Sequence, residues 1–81
     1  MRGFYMKNTT NYEETRKILE DNIIRLSMER NLTPRALSLK IEKNAWYITR
    51  MLNGELNPSL EVICKIAEVL RVSVADLFTE K

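Results

Sequence analysis

An all-α bundle of five short helices is what the sequence predicts, and three observations carry that reading. Leu and Ile recur at three- and four-residue spacings along most of the chain, the period of an amphipathic helix and not of a strand. Only two Gly and two Pro occur in 81 residues, so tight turns are few and connections short. Asn11, Thr33, Ser59 and Ser73 each stand directly ahead of an apolar stripe, where a side-chain oxygen can accept the exposed N–H groups of a first turn. The length allows one domain with a modest core, and 44% hydrophobic with 30% charged residues is a globular composition.

Taken in order, residues 1–10 (MRGFYMKNTT) show no periodicity and read as a flexible arm with Phe4 and Tyr5 available as anchors; residues 11–81 form the domain. Helix 1 starts at the cap Asn11, with Glu14 three residues on at capping-box spacing. Leu19, Ile23, Leu26 and Arg30 share one face, with Tyr12 and Thr15 above them, and the helix fades at Asn31. Helix 2, about 34–41, has Thr33 as cap and Pro34 at its first position, where the missing N–H costs nothing. Ala36, Leu37 and Ile41 face inward, while Arg35, Lys40 and Leu39 point elsewhere. Helix 3, about 45–53, takes Asn44 as its cap, buries Ile48, Met51 and Leu52, and stops at Gly54. Helix 4 opens after Pro58 with Ser59 as cap and a stripe of Leu60, Ile63, Ala67 and Leu70, with Cys64 and Ile66 beside it. Helix 5 is short, capped by Ser73 with Asp76 at its third position, and Leu77 and Phe78 close the core.

Several function classes drop out. No His is present, which removes the usual general base and every Ser–His or Cys–His nucleophile pair, and no two acids sit in a catalytic frame; an enzyme is not expected. The single Cys64 forms no internal disulfide, no zinc pattern can be written, and no cofactor or metal is expected; Cys64 and the four Met read as packing atoms. No apolar run approaches the roughly 18–20 residues of a membrane span, and Met1–Thr10 is not a signal peptide, so a cytoplasmic protein without membrane contact is expected. Net charge is +2, and its distribution is uneven. Residues 32–57 carry Arg35, Lys40, Lys43 and Arg50 against Glu42 and Glu55, an excess of two positive charges, whereas 12–31 and 58–81 are each negative by one.

Two short helices joined by three or four residues are the geometry of a DNA-reading helix-turn-helix, since the major groove admits one α-helix while its neighbour braces across the backbone. Residues 32–60, LTPRALSLKIEKNAWYITRMLNGELNPSL, resemble without gaps the phage repressor and Cro family, the xenobiotic-response-element type of regulator. Leu32-Thr33 resembles the entry to its second helix, Leu37, Lys40 and Ile41 its core pattern, Tyr47 to Arg50 its recognition helix, and Gly54 with Asn57 to Leu60 its loop into helix 4. Ile66 to Phe78 resembles its last two helices, so the likeness covers about residues 12–79 and implies a compact lambda-repressor-like bundle.

The resemblance implies base contacts at Asn44, Ala45, Trp46, Thr49 and Arg50. Among these, Arg50 suits guanine, because its fork matches O6 and N7 bidentately. Asn44 has three roles open: helix cap, phosphate contact or base edge. Ala45 offers a methyl group to thymine. Trp46 also has three: a groove contact, a lid over the junction of helices 2 and 3, or a dimer contact. Phosphate contacts are implied at Thr33, Arg35, Lys43, Asn53 and Asn57, with the N-terminus of helix 2 as a further phosphate-friendly end. The chain departs from the family pattern in three places. Pro34 replaces the usual phosphate-binding Gln. Glu42 replaces the usual turn Gly, at a cost on the order of 1 kcal/mol for a left-handed backbone, and sets a negative charge on the DNA side. Asn22 and Leu52 occupy the places of a buried Arg–Glu pair, and apolar packing can stand in for such a pair at little cost. The expected function is that of a small bacterial or phage-type transcriptional regulator, a repressor, binding double-stranded DNA as a homodimer, with a modulating partner protein conceivable. The competing reading, favoured by Pro34, Glu42 and the low net charge, is a protein-interaction module on the same fold.

Overall fold

A computed structural model describes residues 10–81, and the expected arm, residues 1–9 of the stretch to Thr10, lies outside the described residues. Five helices follow one another: α1 (Tyr12–Glu29), α2 (Pro34–Lys40), α3 (Tyr47–Leu52), α4 (Leu60–Leu70) and α5 (Val74–Leu77). Four start as their caps predict. Asn11, Thr33, Ser59 and Ser73 each accept a backbone N–H three residues ahead, from Glu14, Ala36, Val62 and Asp76 respectively. The Asp76 carboxylate accepts the Ser73 N–H in return, which closes a capping box and holds the Asp76 pKa below its ordinary value. α3 is the exception. It runs six residues, not nine, and its cap residue Trp46 makes no side-chain capping bond.

Four helices end alike. After α1, α2, α3 and α4 one residue turns left-handed: Asn31, Glu42, Gly54 and Arg71. In each case the next N–H reaches back to the helix's last turn: Leu32 to the Ser27 carbonyl, Lys43 to Ser38, Glu55 to Arg50 and Val72 to Ala67. These are Schellman stops, and only one of the four has the residue type that adopts the conformation without steric cost.

The core is one cluster drawn from every helix: Leu19, Ile23 and Leu26 of α1, Leu37 of α2 with Ile41 just beyond it, Ile48 and Met51 of α3, Val62, Ile66, Ala67 and Leu70 of α4, and Leu77 of α5. α2 packs on α3 and α4, and α5 packs on α1 and α4. Several expected core positions face solvent instead. Arg30 lies outside α1 as an exposed cap and returns its guanidinium to the Leu26 carbonyl. Leu60 is 72% exposed, because Ser59 caps the helix at that point and α4 turns its buried stripe to Val62, Ile66, Ala67 and Leu70. Cys64, Met28 and Tyr12 are exposed as well, and so is Phe78, so that Leu77 alone of the expected pair closes the core. At Asn22 it is not apolar packing but hydrogen bonding that stands in for the family's buried ion pair. Buried Asn22 turns its amide to the carbonyls of Leu77 and Thr79, both at 2.9 Å, where it satisfies the C-terminal end of α5.

Candidate nucleic-acid interface

The unit formed by α2 and α3 is set by its backbone accounting. The first N–H groups of a helix lack partners inside it, and burial requires that they find one. At the start of α3 the Ile48 N–H donates to Ser38 Oγ at 2.9 Å, and the same hydroxyl donates to the Pro34 carbonyl at 2.7 Å. Ser38 is fully buried, so one hydroxyl ties α2 to the first turn of α3. Below it Leu37 and Ile41 pack with Ile48 and Met51. Asn44 accepts the Trp46 N–H at 2.9 Å, forming an Asx turn ahead of the helix, and its carbonyl accepts the Tyr47 N–H. This extra turn explains why α3 begins at Tyr47 and not at Ala45.

The far end of α3 is held from α1. Arg16 donates through Nη2 to the Met51 carbonyl at 2.5 Å and the Leu56 carbonyl at 2.8 Å. Its Nε meets Glu20 at 2.7 Å, and Nη1 meets the Tyr12 hydroxyl and Asn57 Oδ1. Burial works against the charge of Arg16, but the bonds to Tyr12 and Glu20 outweigh it and raise the guanidinium pKa, so it stays cationic. The link between α1 and the end of α3 therefore exists, yet it uses Arg16 and main-chain carbonyls in place of the Asn22 and Leu52 positions. Nothing in the neighbourhood of Arg16 in sequence signals it, because its acceptors lie 35 and 40 residues away.

With both ends fixed, the outer side of α3 faces solvent. Trp46, Arg50 and Asn53 are exposed at i, i+4 and i+7 and so form a stripe along it, with half-buried Ala45 and Thr49 at its edge and Asn44 leading into it. Trp46 is 66% exposed. Arg50 Nε lies 3.3 Å from Glu55 Oε1, and both side chains are about half exposed. The Tyr47 ring is half-buried, which raises its pKa and keeps the phenol neutral, and Lys43 Nζ sits 5.4 Å from its centre.

The expected phosphate contacts differ in how free they are. Arg35 and Asn53 are exposed and make no side-chain bond among the described residues, nor does Lys40, which is exposed although the resemblance set it in the core pattern. Thr33 is occupied as the cap of α2. Asn57 has its amide oxygen engaged by Tyr12, at 2.6 Å, and by Arg16, which leaves only its Nδ2 group to donate outward. Glu42 is left-handed, with φ of 66°, and its carboxylate lies 3.5 Å from Lys65 of α4, so its negative charge is shared with a cation.

A family model for helix-turn-helix domains matches residues 23–77. The fold is similar to the crystal structure of a hypothetical transcription factor, NHTF, from Neisseria, with a TM-score of 0.77 and 18% identity over 94% of this chain and 88% of that one. It is also similar to that of the clp gene regulator ClgR from Corynebacterium glutamicum, with a TM-score of 0.70 and 22% identity over 78% of this chain and 67% of that one. A comparison with curated protein sequences gives no match.

Proposed function

Because this chain belongs to the Cro/C1-type helix-turn-helix family, we propose that it is a transcriptional repressor that reads the major groove of double-stranded DNA with α3, as a homodimer on two half-sites. The observation that carries the proposal is the stripe of Trp46, Arg50 and Asn53 on a helix whose two ends are both tied to the rest of the domain. A reader must be held in register before a single side chain can discriminate bases. Arg50 is the base reader, forking onto guanine O6 and N7; Asn44, Ala45, Trp46 and Thr49 shape the remaining contact, with Trp46 offering apolar surface to thymine methyls or sugars. Arg35 and Lys43 take phosphates as cations, joined by Lys40, while Asn53 and the Nδ2 group of Asn57 donate as neutral groups and Thr33 serves first as a cap. No helix among the described residues is long and apolar enough to cross a membrane, and we place the protein in the cytoplasm with its DNA.

Fluorescence anisotropy on labelled duplexes tests this directly. Random duplex should bind at low salt and release as salt rises, because phosphate contacts displace counterions. Arg35→Ala should weaken preferred and random duplexes alike and reduce the salt slope by about 1, whereas Arg50→Ala should weaken the preferred site far more than random duplex, by about 1–3 kcal/mol. A promoter reporter then separates repression from activation. Absence of binding at low salt would refute the proposal. The exposed Trp46 and the carboxylate of Glu55 beside Arg50 would in that case mark α3 as a protein-docking face.

A further inference from the structure

The guanidinium that clamps α3 also reaches the loop beyond it, and its hydrogen bonds close without remainder. Arg carries five N–H groups and no acceptor. In Arg16 the Nε group meets Glu20, the Nη2 pair meets the carbonyls of Met51 and Leu56, and the Nη1 pair meets the Tyr12 hydroxyl and Asn57 Oδ1. This cation stands beside the end of α3 yet keeps no donor for a phosphate.

The same accounting fixes a neutral group. A Tyr hydroxyl has a single proton to give. Because Arg16 donates to the Tyr12 oxygen at 3.0 Å, the Tyr12 proton turns to Asn57 Oδ1 at 2.6 Å. Two donors therefore face one end of the Asn57 amide, and only its oxygen can accept them; reversed, the amide would set N–H against N–H. Both lone pairs of Oδ1 are then filled, while Nδ2 has no partner among the described residues. Asn57 is exposed, so its two N–H groups are open to solvent. Tyr12 lies outside the core cluster and is 60% exposed, and its one polar group is spent on this loop, 45 residues away.

We propose that Tyr12 and Arg16 are positioning residues for DNA, holding the Asn57 amide so that Nδ2 donates to a backbone phosphate at a fixed spacing from α3. This rests on the reading above, in which α3 enters the major groove and Asn57 meets a phosphate. One planar guanidinium touches Met51 in the last turn of α3, Leu56 in the loop and the Asn57 side chain, so helix and amide move together. A phosphate contact placed in this way sets the register of the helix on the duplex and carries no sequence information of its own. Arg16 gives the amide one point of attachment, about which it could still swing; Tyr12 gives the second, which stops it. An exposed Asn side chain normally loses rotamer freedom on binding, whereas this one is already ordered in the free protein.

Fluorescence anisotropy on a labelled random duplex tests the proposal, since phosphates are alike in every sequence. Asn57→Ala should raise Kd about three- to tenfold, the loss of one hydrogen bond to a charged oxygen. The slope of log Kd against log salt should stay as it is, because no cation is removed. Tyr12→Phe should raise Kd about two- to threefold in the otherwise unaltered chain, and should change nothing further when Asn57→Ala is also present. Both residues are exposed and outside the core, so all three variants should keep the native helical circular dichroism. A Tyr12→Phe loss that is the same with and without Asn57→Ala overturns the proposal, because Tyr12 then touches DNA itself or acts through general stability. So does a Tyr12→Phe variant that binds like the unaltered chain, or an Asn57→Ala variant that does. Failure of the unaltered chain to bind random duplex at low salt is a different result, which overturns the DNA reading itself before any variant is made.

Discussion

The two ends of α3 are held by different chemistry. At its start the Ile48 N–H finds the hydroxyl of Ser38, a neutral group from the adjoining helix, ten residues back. At its finish the Met51 carbonyl, with that of Leu56 just beyond, finds the guanidinium of Arg16, a cation from the far side of the domain. Helix polarity dictates the difference. A first turn exposes donors and needs an acceptor, while a last turn exposes acceptors at the negative end of the dipole and needs a donor, best a charged one. Reach adds to it. Beside a tight turn α2 already lies close enough for a one-carbon side chain, but at the far end only a long side chain can cross from α1.

Arg16→Met should therefore have the largest effect. It keeps an apolar stem but removes charge-assisted bonds to two carbonyls and leaves Glu20 alone, at about 2–3 kcal/mol in urea unfolding. Ser38→Ala should follow at about 1–2 kcal/mol, since it leaves the Ile48 N–H buried without an acceptor while Ala gains slightly in helix propensity. The two losses should add to within about 0.5 kcal/mol, because the sites share no partner. A Ser38→Ala loss larger than that of Arg16→Met would reverse the ranking of the two clamps. A strong coupling energy would show that α3 moves as one rigid piece between them.

A second pair of measurements bears on the same ends through their stops. Glu42, which leads into α3, and Gly54, which ends it, carry the same Schellman geometry with φ of 66° and 81°. A Cβ at Gly54 would meet nothing within 4 Å, so Gly54→Ala tests the backbone conformation alone and should cost about 1 kcal/mol. Glu42→Gly should gain a similar amount, reduced by the weak exposed pair with Lys65. Thermal unfolding of the two single variants reads both. A loss in Glu42→Gly would mean that the contact with Lys65 outweighs the strain.

What was legible in the sequence follows the range of the interaction. The four caps that appear as expected involve partners three residues apart, and the stripe residues Leu37, Ile48, Ala67 and Leu70 need only one turn of context. Arg16 and Asn22 were unreadable because their acceptors lie more than 30 residues away, and either residue type on α1 reads as an ordinary polar side chain. Ser38 was missed for a related reason, since a Ser between two Leu in a helix gives no sign of the N–H it will meet. The start of α3 was misplaced by local competition, as Asn44 closes an Asx turn to Trp46 where a helix cap was expected. Of the candidate interface, the positions on α3 were legible, whereas the occupation of Thr33 and Asn57 by internal bonds was not.

The smallest effect concerns the reading stripe itself, where the carboxylate at the finish of α3 pairs with the reader Arg50, while that of Glu42 ahead of its start pairs with Lys65. Glu55 stands one residue past Gly54 and holds Arg50 at 3.3 Å. With both side chains about half exposed, the pair is worth no more than about 1 kcal/mol, and DNA must compete with it for the guanidinium. The carboxylate also repels nearby phosphates at long range. Glu55→Gln should then tighten binding to preferred and random duplexes together by about two- to fivefold at low salt, and the gain should shrink as salt is raised. The ratio between the two duplexes should stay constant, because Gln alters the local charge and leaves the Arg50 fork free to meet guanine. If Glu55→Gln instead lowers that ratio, Glu55 holds the guanidinium in its reading orientation, and the C-terminal end of α3 contributes to base discrimination as well as to anchorage.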